Sequence, residues 1–175
     1  KLFESGRERG IELLELTEDD NILEVGVGTG LSLPFYPRNC RIMGVDLSGK
    51  MLEEAEKKVR ENRFNNVKLI KMDATKFVFE DNSFDSIMAA YFISTVPEPV
   101  KVVHELKRVC RKGVRIVFLN HFMSINRFIA GFEKVISPLC CRIGFRTDLN
   151  LYELLDETAL KINTEEKANL LNYWK

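Results

Sequence analysis

The sequence ILEVGVGTGLSLP at Ile22–Pro34 carries the strongest structural signal in the chain. It begins as a short apolar run, typical of a buried strand, and continues into three glycines at alternate positions, Gly26, Gly28 and Gly30. Glycines directly after a strand let the backbone approach a ligand closely, and they are common in loops that hold nucleotides. We therefore expect a nucleotide or nucleoside at this loop.

Apolar strand patterns and amphipathic helix patterns alternate along the chain. Strands are predicted at 21–25, 41–46, 67–73, 84–92 and 113–121, and helices at 3–16, 48–64 and 97–111. Short strands that are apolar almost throughout and alternate with helices predict a parallel sheet covered on both faces, a doubly wound α/β fold. We expect one domain over 1–175, because 45% of the 175 residues are hydrophobic and no low-complexity linker interrupts them.

The pattern changes after residue 121. Residues 125–145 predict a helix broken near Pro138, whose apolar side chains could pack in the core or line a groove for acyl chains. Residues 150–175 combine helical spacing with a possible strand. We expect an edge hairpin there whose last strand is cut short, so that the C-terminal edge of the sheet is truncated.

Charge and cysteine content argue against several functional classes. The 26 basic and 26 acidic residues give a formal net charge of zero, so no nucleic-acid partner is expected. The four cysteines form no CxxC pair, which predicts neither a metal site nor a disulfide framework and fits a reducing cytosol. The sequence has no signal-peptide pattern and no run of 18 apolar residues, so we expect a cytoplasmic protein.

Three classes of nucleotide compete for the glycine loop. A P-loop needs Gly-x4-Gly-Lys-Ser/Thr, and no lysine lies near this loop. A dinucleotide fold needs G-x-G-x-x-G, whereas Leu31 stands where its third glycine would fall. Glu24, two residues before the first glycine, would repel a pyrophosphate and suits a positively charged ligand. S-adenosylmethionine has no phosphate and carries a sulfonium and an ammonium group, so it fits best.

Acidic residues at the ends of the next two strands fit the nucleoside half of this ligand, because ligands of such sheets lie at the carboxyl ends of the strands. Asp46 can accept hydrogen bonds from both ribose hydroxyls, and Asp73 can accept one from the adenine amino group. Leu47 and Met51 would flank the adenine ring, and Ala74 follows Asp73. Asp46 could instead cap a helix, and Asp73 could be a solvated strand end.

Four segments resemble, in order, the motifs of class I S-adenosylmethionine-dependent methyltransferases: ILEVGVGTG, GVDLS, KMDAT and ELKRVCRKGVRIVFLNH. The resemblance spans about residues 3–121, and it implies a Rossmann-like sheet with the strand order 3-2-1-4-5-7-6. The cofactor-binding residues predicted from the loop and the resemblance together are Glu24, Gly26, Gly28, Thr29, Gly30, Asp46, Leu47, Met51, Asp73, Ala74 and Ala90.

A narrower resemblance concerns the methyl acceptor. LSLPFYP, AAYFISTVPEP, FLNHF and GFRTDLNL resemble segments of bacterial phosphatidylethanolamine N-methyltransferases, which implies a lipid amine as acceptor. Quinone-biosynthesis methyltransferases share the general motifs, so another small-molecule acceptor stays open. A NAD-dependent oxidoreductase and a non-catalytic cofactor-binding protein are further alternatives. Members of the lipid family carry an N-terminal amphipathic segment that this chain begins after, and peripheral contact with the inner membrane face is expected of that segment.

Two residues are candidates for the chemistry itself. Methyl transfer from a sulfonium requires alignment of the acceptor and exclusion of water. An ammonium acceptor must also lose a proton to a base or to water. Tyr91, after the fourth strand, and His121, after the fifth, are the predicted catalytic residues, although each could be a packed side chain.

Overall fold

The structure, a computed structural model, describes residues 4–120 and 151–166. Its centre is a five-stranded sheet in which all neighbouring strands are parallel. The strands are β1 (Asn21–Val25), β2 (Arg41–Asp46), β3 (Val67–Lys71), β4 (Phe84–Ala90) and β5 (Cys110–Leu119). They lie in the order β3-β2-β1-β4-β5, which confirms the first five positions of the predicted order.

Helices connect and cover the strands. They are α1 (Glu4–Glu12), α2 (Gly49–Glu61), α3 (Pro99–Val109) and α4 (Leu151–Thr158), with short 3-10 turns at Leu33–Phe35 and Ile93–Thr95. The predicted start of α2 is explained by Ser48, whose hydroxyl accepts a hydrogen bond from the Met51 N–H at 3.4 Å. Across the described residues, no helix is long and apolar enough to cross a membrane.

Side chains of the central strands alternate between two apolar clusters, one on each face of the sheet. Leu23 and Ile87 pack with side chains of α3 and α4, whereas Ile22 and Met88 pack with side chains of α1 and α2. All four strand residues are 0% exposed. Because helices bury both faces of a parallel sheet, the predicted doubly wound α/β fold is confirmed.

The first helix lies unusually close to the sheet. A Cβ on Gly10 would lie 2.5 Å from Cε of Met88 in β4, so a larger residue there would require the end of this methionine side chain to move. The surface of α1 is also joined to the C-terminal part of the chain. The guanidinium of Arg9 donates two hydrogen bonds of 2.8 Å to the carboxylate of Glu166.

Some element ends differ from the prediction. The helix predicted over 3–16 ends at Glu12, and the backbone turns at Glu15, where φ is 49°. The last predicted strand begins at Cys110 instead of 113, because α3 ends at Val109 and passes directly into extended backbone.

The C-terminal predictions are tested only in part. Residues 121–150, with the predicted helix over 125–145, lie outside the described residues. The described residues 159–166 contain no strand, so the strand expected in the edge hairpin is not found there. Residues 161–166 are exposed and mostly polar, and they offer no apolar face that a strand would bury.

Candidate active site

The glycine loop leaves β1 in a backbone conformation that favours glycine. The φ angles of Gly26, Gly28 and Gly30 are 69°, 56° and 72°. A Cβ on Gly26 would lie 2.3 Å from the ring of Phe92, and one on Gly30 would lie 2.8 Å from Leu33. A Cβ on Gly28 would meet nothing closer than 3.9 Å. Packing within the protein thus excludes side chains at two of the glycines, while the third faces open space.

Asp46 at the end of β2 holds this loop. Its Oδ2 accepts a hydrogen bond from the Gly28 N–H at 2.9 Å, and its Oδ1 accepts one from the Ser48 N–H at 2.8 Å. The carboxylate is therefore placed beside the open side of Gly28 and at the start of α2. The structure brings Asp46 and Gly28 together, and the residue that caps α2 is Ser48 instead of Asp46, because the Ser48 hydroxyl accepts the Met51 N–H.

Two apolar side chains lie exposed next to Asp46. Leu47 is 67% exposed and Met51, in the first turn of α2, is 45% exposed. Thr29 is half-buried between two of the glycines, and Ala90 is buried at the end of β4. Exposed apolar surface beside a carboxylate is a suitable environment for a nucleoside, whose ring is apolar and whose ribose carries hydroxyls.

Asp73 lies in a turn beyond β3 and is held by its neighbour. Its Oδ1 accepts hydrogen bonds from the backbone N–H and the hydroxyl of Thr75, at 2.9 and 2.7 Å. These hydrogen bonds hold the pKa of Asp73 below its usual value. The following residue, Ala74, is buried. The sequence did not indicate that Thr75 would orient the carboxylate.

Glu24 is buried near the carboxyl end of β1, with 2% of its surface exposed. Burial raises the pKa of Glu24 to about 7, although the nearby hydroxyls of Ser32 and Tyr36 and the charge of Arg7 oppose this. Over the described ranges, Oε2 of Glu24 and the hydroxyl of Tyr36 have no partner within strict hydrogen-bonding geometry, but the hydroxyl lies near enough to Glu24 to interact with it. A buried carboxyl oxygen is costly when unpaired, so Oε2 suits a polar group of a ligand.

Tyr91 directly follows β4 in a strained conformation, with φ of 56°. Its N–H donates to the carbonyl of Leu119 at 2.6 Å, and the guanidinium of Arg7 lies 4.6 Å from the centroid of its ring. Burial lowers the pKa of Arg7, and the charges of Tyr91 and Glu24 oppose this. The other predicted catalytic residue, His121, lies outside the described residues.

Sequence reasoning missed Arg7 and Tyr36. Arg7 reaches the site because α1 packs closely on the sheet, and its position on a polar helix face gave no sign of this. Tyr36 lies in LSLPFYP, which the sequence indicated only through its resemblance to the lipid methyltransferases; its burial raises its pKa well above the usual value. Packing between separate segments, rather than a local motif, brings Arg7 and Tyr36 near Glu24.

Comparison with known proteins gives the class of this chain. Residues 23–118 match a family described as a methyltransferase domain. The chain is 40% identical over 142 residues to phosphatidylethanolamine N-methyltransferase of Cereibacter sphaeroides, covering 81% of this chain and 70% of the relative. It is 29% identical over 125 residues to demethylmenaquinone methyltransferase of Listeria welshimeri, covering 69% of this chain and 52% of the relative. The chain thus spans about half the length of the latter.

Solved structures show the same fold. A SAM-dependent methyltransferase from Aquifex aeolicus superposes with a TM-score of 0.74 at 21% identity, covering 96% of this chain and 85% of that one. The chain belongs to the class I S-adenosylmethionine-dependent methyltransferases, and its cofactor is S-adenosyl-L-methionine. The site fits this group, because it combines open space beside Gly28, a buried carboxyl oxygen that has no partner among the described residues, and exposed apolar side chains.

Proposed function

We propose that this methyltransferase transfers methyl groups to the amine of phosphatidylethanolamine or a related phospholipid. The observation that carries the proposal is the 40% identity to the enzyme of that name from Cereibacter sphaeroides. The proposal takes residues 1–175 as one domain, and it requires peripheral contact with a membrane surface, because the acceptor amine is a lipid headgroup.

In this proposal the nucleoside half of the cofactor lies over the ends of β1, β2 and β3. Asp46 accepts hydrogen bonds from the ribose hydroxyls, and its contact with Gly28 places it for this. Leu47 and Met51 flank the adenine ring, and Asp73 with Ala74 meets the adenine amino group. The exposure of the two apolar side chains in the free protein supports this assignment.

We assign the amino-acid half of the cofactor to the region of Glu24. A carboxyl group with a pKa of about 7 is easily ionised by a neighbouring cation, because the cation stabilises the carboxylate. The ammonium group of the cofactor would pair with Oε2, the atom that lacks a partner in the described part of the chain. Burial makes this ionic contact stronger than it would be at the surface.

When bound, S-adenosyl-L-methionine supplies a methyl group that its sulfonium already activates. The protein then has to align the acceptor, exclude water and accept a proton from an ammonium headgroup. We propose Tyr91 and His121 as the residues for proton transfer. The position of Tyr91 supports its part, since it follows β4 at the carboxyl edge of the sheet with its ring beneath the guanidinium of Arg7.

A second candidate is methylation of a quinone precursor, which the 29% identity to the Listeria welshimeri enzyme supports. The two candidates are separated by incubating the full-length protein with labelled S-adenosyl-L-methionine and either phosphatidylethanolamine vesicles or demethylmenaquinol. We expect label in the phospholipid, and none in phosphatidylcholine vesicles, whose amine is already fully methylated. Transfer to the quinol alone would refute the phospholipid proposal.

A further inference from the structure

Asn120, which directly follows β5, is a buried polar residue that the cofactor assignments do not use. It is 0% exposed, and within residues 4–120 and 151–166 neither Oδ1 nor Nδ2 of its carboxamide has a hydrogen-bonding partner. A carboxamide offers two donors and an acceptor oxygen, and proteins rarely bury all of them unpaired. A ligand that supplies the missing hydrogen-bonding partner would explain why this carboxamide is buried.

The position of Asn120 favours a ligand. Ala90, the last residue of β4, pairs with Leu119, the last residue of β5. Tyr91 and Asn120 follow them directly, so they lie at the ends of two adjacent strands. The Tyr91 N–H donates to the Leu119 carbonyl and keeps these ends together. Only β4 separates β5 from β1, the strand that carries Glu24. Asn120 is therefore at the carboxyl edge, on the side away from Asp46 and the nucleoside.

A second buried polar group lies at the same end of the sheet. Ser94, in the 3-10 turn that follows β4, is 0% exposed, and its hydroxyl also lacks a partner in the part of the chain that the structure describes. Two polar side chains that follow adjacent strands are thus buried without partners among residues 4–120 and 151–166. The cofactor assignments use the ends of β1 to β3 and, at the end of β4, only Ala90, which leaves the residues that follow β4 and β5 for the acceptor.

We propose that Asn120 binds the methyl-accepting amine, an inference that rests on the proposed phospholipid function. Oδ1 accepts one N–H of the amine and Nδ2 donates to a neighbouring oxygen of the headgroup. An amide oxygen is neutral, so it orients the amine without stabilising the ammonium form as a carboxylate would. Orientation by a single N–H leaves the nitrogen lone pair available to attack the methyl group.

The test compares Asn120→Leu, Asn120→Asp and a control in the full-length protein. Leucine keeps the branching of asparagine at Cγ but replaces both polar groups with methyl groups. The control is Asn66→Ala, because Asn66 lies before β3, at the opposite edge of the sheet, and its Nδ2 donates to the carbonyls of Pro37 and Cys40 at 3.2 and 2.9 Å. Three quantities are measured: KM and kcat with phosphatidylethanolamine vesicles, the cofactor Kd by calorimetry, and Tm.

We expect Asn120→Leu to lower kcat/KM for the phospholipid at least about tenfold, with a cofactor Kd within about twofold of the wild type. Its Tm should be unchanged or higher, because an unpaired buried polar group has been removed. Asn120→Asp should keep acceptor binding but shift the pH dependence of kcat upwards by about one unit, since a carboxylate stabilises the ammonium. Asn66→Ala should lower Tm and leave the acceptor KM unchanged.

Two results would overturn the inference. One is an unchanged kcat/KM for the phospholipid in Asn120→Leu; the other is a reduced kcat/KM that is accompanied by a lower Tm and a weaker cofactor affinity. If Asn120→Leu does not fold, Asn120→Asp decides: a pH dependence of kcat equal to that of the wild type would overturn the inference. Failure of the proposed function is recognised separately, because the wild-type protein would then transfer no methyl group to the phospholipid.

Discussion

Glu24 shows how burial prepares a single carboxyl group for a cationic ligand. Its ordinary pKa of 4.5 rises to about 7 in the folded protein, because the charged form is deprived of water. Near neutral pH the free protein therefore holds Glu24 partly protonated. Pairing with an ammonium group would ionise it, so cofactor binding below pH 7 should release a proton into solution.

The raised pKa makes a prediction about stability. Between pH 4.5 and 7 the unfolded carboxyl loses its proton before the folded one does. The free energy of unfolding of the free protein should therefore fall as the pH rises through this window, by about 3 kcal/mol in total, and level off above it. Glu24→Gln should remove this dependence. Urea unfolding of Glu24→Gln at pH 5 and pH 8 checks this, with Glu53→Gln, at an exposed position, as the control. If the stability of Glu24→Gln and that of Glu53→Gln depend equally on pH, Glu24 does not have the raised pKa.

Asp46 makes a prediction about cofactor affinity. Asp46→Ala should weaken binding of S-adenosyl-L-methionine at least tenfold, about 1.4 kcal/mol, because the ribose hydroxyls lose their acceptor. Calorimetry measures this, with Asp19→Ala as control, since Asp19 is exposed at the opposite edge of the sheet. A cofactor analogue without the ribose hydroxyls should bind the wild type and Asp46→Ala equally. If that analogue also loses affinity, the carboxylate acts through its hydrogen bond to Gly28 instead.

In the glycine loop, Gly26 is needed for packing within the protein, whereas Gly28 leaves space for the cofactor. Gly26→Ala should destabilise the protein by about 2–4 kcal/mol, because a methyl group would meet the Phe92 ring at a positive φ. Gly28→Ala should cost only about 1 kcal/mol, since the space beside it is open. The same methyl group should nevertheless occupy cofactor space and weaken binding at least tenfold. Urea unfolding and calorimetry on both variants test this, and equal stability losses would contradict it.

A second element, α3, forms hydrogen bonds with the segment that precedes β4. Arg108 donates hydrogen bonds to the carbonyls of Phe77 and Phe79 at 3.0 and 2.8 Å, and it pairs with Asp81 and Glu105. Arg108→Met should lower the free energy of unfolding by about 1–3 kcal/mol, because those carbonyls lose their donor.

The control for Arg108→Met is a surface arginine. Arg60→Met in α2 should change the stability by less than about 0.5 kcal/mol, since this side chain is 66% exposed and forms a surface ion pair with Glu56 at 3.7 Å. Thermal unfolding of both variants provides the comparison. A similar Tm loss in both would show that the contacts of Arg108 with the loop carbonyls are unimportant.

The positions of the strands could be predicted from the sequence more accurately than the residues at which they begin and end. The centres of β1 and β4 are buried on both faces, so continuous apolar runs identified them. The start of β5 was missed because Lys112-Gly113 indicated a turn. The strand instead carries an irregularity there: Phe84 pairs with Cys110 and Ser86 with Arg115, and Gly113 takes a φ of 83° within the extra residues. A bulge depends on the neighbouring strand, which local sequence does not report.

For the whole molecule, the carboxyl edge of the sheet divides into two parts. The ends of β1, β2 and β3 carry all the residues predicted for the cofactor except Ala90, and Tyr91 and Asn120 follow the ends of β4 and β5. The first part could be predicted because its glycines and carboxylates form local motifs with characteristic spacing. Arg7 and Tyr36 could not be predicted, because packing between separate segments brings them near Glu24.

The contact between Arg9 and Glu166 joins residues 157 positions apart in the chain. Both side chains are partly exposed, so the pair adds little stability, but it shows that the first helix meets a segment synthesised much later. A nine-residue helix is barely stable alone, and α1 also packs on β4 and β5. During synthesis it must wait for these strands before it can dock. The site around Tyr91, to which Arg7 of this helix belongs, is therefore completed only after β4 and β5 have been synthesised.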